Sequence, residues 1–563
     1  MATVSKNTLG GMKMQPKLIK LLKRKEITKE QIIKDIVAGI IVAIIALPLS
    51  VALGISSGVT PEKGLITAII AGFCISFFGG SRVQIGGPTG AFVVIVYGIV
   101  QEYGLNGLII ATIMAGIILI ILGLLKLGTI IKFVPHTITV GFTAGIAITL
   151  MATQVKDLLG LNIENVPAEF IPKCQAYIEN INTINFLALG IGVLAILIMV
   201  FWPKINKTIP GSLVALVVTT AIVAIFNVPV ETIGSRFTDI SSAIPMPGLP
   251  KTDIKTIVSL ISPAFTIAIL AAIESLLSAV VADGMIGSKH DANMELVGQG
   301  IANVASGLFG GIPATGAIAR TAANVRNGGR TPIAGIVHAI VLFFIMVVFM
   351  PLAKLIPMTT LGAILIIVSY NMGEWETLFS MRKAPKSDFV VMLITFVLTI
   401  VFDLVVAIEF GMVLAVFLFM KRVADTTKIN NVLHNIGDDD GIYSEEILKE
   451  KGICVYEING PFFFGVVQEF LDTMESVDPE FNALILDMKN ASVMDATALN
   501  ALERVYERCE KHSIKLYLTN IQEQPERVLK NMGFIELIGE KSVYNNVDDA
   551  INTHKMSVIQ GEC

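Results

Sequence analysis

Gly86-Gly87-Pro88-Thr89-Gly90-Ala91 and Gly310-Gly311-Ile312-Pro313-Ala314-Thr315-Gly316-Ala317 share one form, GG…P…TGA, with their threonines 226 residues apart. The same offset carries Pro48 onto Glu274, so that Ala46-Leu-Pro-Leu-Ser50 faces Ala272-Ile-Glu-Ser-Leu276. Each motif opens a short, Gly/Pro-interrupted apolar segment. A helix that begins in mid-membrane leaves its first N–H groups unpaired, and hydrocarbon cannot satisfy them. Two such ends meeting head-on concentrate positive dipole and backbone donors, an arrangement suited to an anion. The competing reading, that these glycines only pack helices together, does not account for duplication in matching register.

Working outward, the surrounding chain is a membrane protein by charge and hydropathy. Residues 1–34 carry a net charge of +7, residues 35–420 sum to zero, and residues 421–563 sum to −11. The middle piece has about one charge in ten residues, against roughly one in four for soluble folds. With ~27 residues per span and loop, that piece accommodates fourteen crossings. They are predicted near 35–56, 63–79, 88–101, 105–125, 133–152, 183–202, 210–226, 257–282, 292–309, 315–325, 332–352, 358–371, 388–402 and 404–421. Seven spans separate the two motifs, an odd number, so the repeats are inverted with respect to the membrane. The basic run Lys20-Leu-Leu-Lys-Arg-Lys25 predicts a cytoplasmic amino terminus, and an even span count puts the acidic tail on the same side. A cleavable signal peptide is not expected, since the first apolar stretch begins near Asp35 and is too long.

Within the apolar runs a few ionisable groups stand out. Glu274 is the sole charge in residues 257–282. A carboxylate there costs about 2.5–3.5 kcal/mol to insert, which marks it as functional or as one half of a structural pair. Ser278, four residues on, shares its helix face. The two are expected to coordinate a cation, or Glu274 alone to bind a proton. Arg320, five residues after Thr315, is expected either to hold an anion or to neutralise Glu274. Neither a cysteine pair of CxxC type, nor HExxH, nor a phosphate loop is present, so no metal, cofactor or enzymatic chemistry is expected, nor a nucleic-acid partner. The tail reads as α/β, with strands over Ile453–Ile458, Ala483–Asp487 and Lys515–Thr519. Helices are expected over Val466–Met474, Ala496–Cys509 and Glu523–Met532, the second presenting Leu499, Leu502, Val505 and Tyr506 on one face.

The paired half-helix motifs, the run Gly311-Ile-Pro-Ala-Thr-Gly-Ala-Ile-Ala-Arg-Thr-Ala-Ala-Asn-Val325 and the run Ala272-Ile-Glu-Ser-Leu-Leu-Ser-Ala-Val-Val-Ala-Asp283 resemble the SulP anion permeases. That family includes bacterial sulfate and dicarboxylate permeases, cyanobacterial bicarbonate transporters, pendrin and prestin. The tail resembles their STAS domain through Val455-Tyr-Glu-Ile-Asn-Gly-Pro-Phe-Phe-Phe-Gly465 and Leu486-Asp-Met…Met494-Asp-Ala-Thr497. The resemblance implies a polytopic α-helical membrane protein of seven plus seven inverted repeats, with core and gate domains, usually homodimeric, and a small cytoplasmic α/β domain. The parts are then a basic segment (1–34), a transport domain (35–422), a linker (423–450) and a STAS domain (451–557).

Carried over residue by residue, the resemblance implies an anion site lined by Pro48 and Leu49 of the first span. Thr89, Gly90 and Ala91 come from one half-helix, and Thr315, Gly316, Ala317, Ile318 and Arg320 from the other. Glu274 and Ser278 fall where sodium-coupled bicarbonate relatives hold their cation. Those relatives place a hydroxyl residue where this chain has Ile318, which favours proton over sodium coupling. Ala496 stands where a phosphorylated serine follows the aspartate in related regulators, which excludes a phospho-switch there. The expected activity is secondary active uptake of an anion, foremost sulfate, coupled to protons through Glu274 in the plasma (inner) membrane. A C4-dicarboxylate or sodium-coupled bicarbonate substrate is the alternative within the family. An anion channel or exchanger, and a membrane-tethered signalling protein, are the alternatives outside that mechanism.

Overall fold

The computed structural model describes residues 14–129, 134–206, 209–237, 240–402, 404–431, 452–475, 477 and 480–559. The start of the basic segment and most of the expected linker, including Asp438-Asp439-Asp440, lie outside the described residues. The chain forms two compact units, divided between Met412 and Val413.

Among its described residues the first unit consists of helices and their connections, with one two-residue strand pair. Every expected span coincides with a helix: Lys29–Ser56, Pro61–Phe78, Gly90–Leu124, His136–Thr153, Phe186–Ile205, Gly211–Phe226, Ile261–Ile286, Ala292–Leu308, Ile318–Arg326, Ile333–Ala353, Met358–Met372, Lys386–Val401 and Leu404–Thr426. Gly90–Leu124 carries two of the expected spans, broken at Gly104, whose φ of 67° and ψ of −174° are foreign to a helix. Seven of the described helices are long and apolar enough to cross a bilayer by length and composition. The others are shorter or more polar, as helices enclosed by protein can be. Their ends follow local chemistry. The Thr28 hydroxyl accepts from the Gln31 amide at the start of the first span, Pro61 occupies the first turn of the second, and Gly287, at φ 64°, closes the eighth. Small residues let backbones meet. A Cβ on Gly116 would lie 2.6 Å from the carbonyl oxygen of Gly300, and one on Gly300 would lie 2.5 Å from that of Gly116. This is how helices associate where apolar burial alone gives little drive.

At the centre, β1 (Gly86–Gly87) pairs antiparallel with β2 (Thr315–Gly316), Gly86 opposite Gly316 and Gly87 opposite Thr315. The two GG…P…TGA motifs therefore run against one another, as inverted repeats require.

The second unit is a five-stranded sheet in chain order: β3 (Lys428–Asn431), β4 (Ile453–Asn459), β5 (Ala483–Asp487), β6 (Lys515–Thr519) and β7 (Val543–Tyr544). β3 is antiparallel to β4 and the rest are parallel. Alternation along β4 splits the core. Cys454, Tyr456 and Ile458 join Leu499, Leu502 and Val505 of the helix Ala496–Lys511, whereas Ile453 and Val455 join Ala550 and Ile551 of Val547–Ile559. Tyr506 packs against the first of these clusters, as its helix periodicity predicts. The three expected strands and three expected helices are present. The structure adds β3, β7 and the helices Phe534–Ile538 and Val547–Ile559. The first part of the expected linker is ordered: helix runs to Thr426 and β3 follows. A four-residue polar edge strand such as Lys428-Ile-Asn-Asn431 lacks the apolar alternation by which strands are recognised.

Candidate functional site

Both half-helices start inside the first unit without a side-chain cap, after Thr89 in one repeat and after Ala317 in the other. Their first backbone N–H groups are thus left to other partners. Ile318–Arg326 has nine residues, about half of what a 30 Å hydrocarbon layer demands. The Thr89 hydroxyl donates to Glu274 Oε2 at 2.9 Å, joining the first repeat's half-helix to the second repeat's acidic span. Glu274 is half-buried. Arg320 is 3 % exposed. Its Nη2 donates to the Pro88 carbonyl at 3.1 Å, and its Nη1 has no protein partner. Among the described residues no ion pair joins Arg320 to Glu274. The guanidinium thus holds the opposite half-helix through the Pro88 carbonyl.

Two glycines make room for this arrangement. A Cβ on Gly87, where φ is 152°, would sit 2.5 Å from Arg320 Nη1, and one on Gly316 would sit 1.4 Å from Gln84 Nε2. Gly90 lies under Leu150 of the fifth span, whose Cδ2 would be 2.6 Å from a Cβ added there. Ala91 and Thr315 are buried, Thr89 is half-buried and Ile318 is 40 % exposed. The first span divides its two residues. Leu49 packs into the apolar cluster of Val93 and Leu150, whereas Pro48 lines an apolar cavity of about 560 Å³ with Leu213, Leu216 and Phe349. Ser278 is buried, and its hydroxyl donates to Thr321 Oγ1 at 3.4 Å. Thr321 Oγ1 in turn accepts from the Ile85 amide at 3.0 Å.

Sequence reasoning did not single out the polar side chains that hold the crossing. Asn303 pairs with both backbone groups of Ala314, donating to its carbonyl and accepting from its amide, each at 2.8 Å. Thr67 accepts from the Ile312 amide at 2.7 Å. Ser275 and Thr315 share a hydroxyl–hydroxyl hydrogen bond of 2.5 Å, and Asn324 donates to the Val83 carbonyl at 2.8 Å. Fully buried Glu295 accepts from the amides of Gly80 and Ser81 at 2.8 and 2.9 Å, and from Gln299 at 2.8 Å. Asp35, equally buried, accepts from the amide of Arg330 at 2.7 Å and from that of Thr331 at 3.2 Å. Irregular backbone at membrane depth requires such partners. One signal was visible in the sequence: Glu295, Gln299 and Asn303 recur every four residues along one face of an apolar helix.

Residues 32–395 match the family model described as the sulfate permease family, and residues 446–550 match that of the STAS domain. The chain belongs to the sulfate permease family. Bacillus subtilis YvdB, which carries a provisional sulfate-transporter designation, is 40 % identical over 496 residues, covering 88 % of this chain and 92 % of that protein. The bicarbonate transporter BicA of Synechocystis is 30 % identical over 505 residues, covering 87 % and 88 %. Among solved structures, murine Solute Carrier 26 family member A9 in its inward-facing state superposes with a TM-score of 0.86 at 17 % identity, covering 98 % of this chain and 96 % of that one. The transmembrane domain of a cyanobacterial BicA gives 0.62 at 32 % identity, covering 68 % and 98 %. This sulfate permease family member is accordingly a multi-pass anion transporter of the seven-plus-seven inverted-repeat fold with a STAS domain, and not an enzyme.

Proposed function

We propose that the chain is a secondary active transporter that takes up sulfate together with protons, binding the anion at the crossing and the proton on Glu274. The observation that carries this reading is the hydrogen bond from Thr89 to Glu274. It couples the anion-facing end of one half-helix to a carboxyl able to change charge. The anion ligands are the N–H groups and side chains around Thr89, Gly90 and Ala91 and around Thr315, Gly316, Ala317, Ile318 and Arg320, with Leu49 beside them. Pro48 shapes the first span behind Leu49, since it removes a backbone donor in mid-helix. Ser278 serves Glu274's helix through Thr321 and is not a cation ligand in this reading. The coupling ion is H⁺ in preference to Na⁺, because Ile318 offers no hydroxyl.

In the same reading the protein sits in the plasma (inner) membrane as a homodimer, with its basic segment (1–34) and STAS domain (451–557) cytoplasmic. The transport domain is 35–422. The YvdB likeness supports sulfate; the BicA likeness supports bicarbonate as a second reading. Labelled uptake into proteoliposomes with imposed proton or sodium gradients separates them. Sulfate accumulation driven by an inward proton gradient, and lost in Glu274→Gln, is the expected result. Sodium-driven bicarbonate uptake would replace the proposal with its alternative.

A further inference from the structure

A second polar cavity, of about 120 Å³, lies at the end of the first span. Ser56 and Tyr97 line it from the first and third spans and Thr153 from the fifth; the connections beyond add Lys156, Lys173 and Arg236 together with the carboxylates of Asp157 and Glu164. It is contiguous with a larger cavity of about 460 Å³ that shares Lys156 and Arg236. The charges around it are not equally matched. Arg236 is paired with Asp157 at 2.7 Å and also with Glu231, and Lys156 donates to the Ile163 carbonyl. Lys173, which lines the cavity, is 4 % exposed, and its ammonium makes no hydrogen bond or ion pair among the described residues. Burying an ammonium without a counter-charge is strongly unfavourable, and such groups are normally paired. One turn further along the same helix, Phe170–Glu179, the Tyr177 hydroxyl is also buried and has no partner.

We infer that this cavity is a second anion site, separate from the crossing, built to take a small inorganic oxyanion with Lys173 Nζ as its counter-charge. The Ser56 and Thr153 hydroxyls border the bound ion. These residues come from the first, third and fifth spans and from the connections after the fifth and seventh, so an ion held there ties several separate elements together.

Equilibrium binding of radiolabelled sulfate, and separately of bicarbonate, to the purified full-length protein tests this. Wild type is compared with Lys173→Gln, Lys173→Arg, Ser56→Ala and Arg320→Gln. The expected result is two sites per chain for at least one of the two anions. Lys173→Gln removes one of them and leaves the other unchanged, Lys173→Arg keeps both, and Ser56→Ala weakens the Lys173-dependent site several-fold. Arg320→Gln affects the other site, so a failure at the crossing is distinguishable from a failure here. One site in the wild type, or unchanged stoichiometry and affinities in a monodisperse Lys173→Gln protein, overturns the inference. If Lys173→Gln does not fold, Ser56→Ala decides: weaker binding supports the site and unchanged binding overturns it.

Discussion

The hydroxyl of Thr89 reaches the carboxyl of Glu274 at 2.9 Å, across 185 residues of chain and from one inverted repeat to the other. A hydrogen bond to a charged acceptor contributes about 1.5–3 kcal/mol, so its loss should be felt as roughly a ten-fold effect or more. Thr89→Val is expected to lower uptake by that order, while Thr89→Ser retains most of it. Glu274→Gln should abolish accumulation against a gradient and leave anion exchange. Flux into proteoliposomes, with and without a gradient, reads both effects.

Gly316→Ala is expected to be worse than its one methyl suggests. The added Cβ would meet Gln84 Nε2 at 1.4 Å, and Gln84 is itself held by the Ser275 carbonyl at 3.2 Å. Overpacking typically costs about 1–3 kcal/mol. The prediction is a lower unfolding temperature in detergent and near-complete loss of transport, with Gln84→Ala in the same chain restoring part of the stability.

Asn303→Ala removes three hydrogen bonds, one to the Gln299 carbonyl and two to Ala314, and leaves a buried amide and a buried carbonyl of Ala314 unmatched. Each orphaned group costs about 1–3 kcal/mol. Thermal unfolding should fall clearly in Asn303→Ala, whereas Asn303→Leu should be no milder despite its similar volume, because shape does not replace the lost partners. An equal melting temperature for Leu and wild type would refute the bracing role.

Lys173 belongs to a connection outside the membrane spans, and burial lowers its pKa to about 8 from the ordinary 10.5, against a smaller raising effect of Cys174. Between those values the unfolded chain holds more protons than the folded one, so stability should rise as pH climbs from about 8 to 10.5. Charged groups facing the site are Lys156 and Asp157, Glu164, Glu231 and Arg236, with Tyr97 and Tyr177 neutral. The slope of melting temperature against pH should flatten in Lys173→Met. Anion occupancy of the cavity should weaken over the same interval, as the ammonium is lost.

In the tail, Asp495 caps the helix Ala496–Lys511 by accepting from the Ala498 amide at 2.8 Å, and it also accepts from the Phe464 amide at 3.1 Å. Asp495→Ala should cost about 1–2 kcal/mol locally. Hydrogen exchange is expected to quicken in the first turn of that helix and at Phe464, with Asp495→Asn giving a smaller change.

Much of this molecule could be read from residue order because its decisive features are periodic or local. The span positions follow from apolar runs, the break at Gly104 from a glycine between two such runs, and the crossing from a repeated motif. What escaped was non-local. Nothing near Asn303 announces that its amide will satisfy Ala314, nor near Asp35 that its carboxyl will hold the backbone of Arg330 and Thr331. Those partners are set by the packing of whole helices. Arg320 is instructive, because its sequence position allowed a partner in Glu274, yet the structure turns it to the Pro88 carbonyl. β3 and β7 were missed because strands of four and two residues carry no usable alternation.

The pairing of Gly86 with Gly316 and Gly87 with Thr315 sets a limit on how this protein can change its appetite. Backbone strapped to backbone behaves as a single rivet. In this structure the pairing fixes the spacing of the two half-helix ends, and prising them apart for a larger guest would break it. A new specificity must come from exchanging the side chains around the rivet, while the glycines that form it stay fixed.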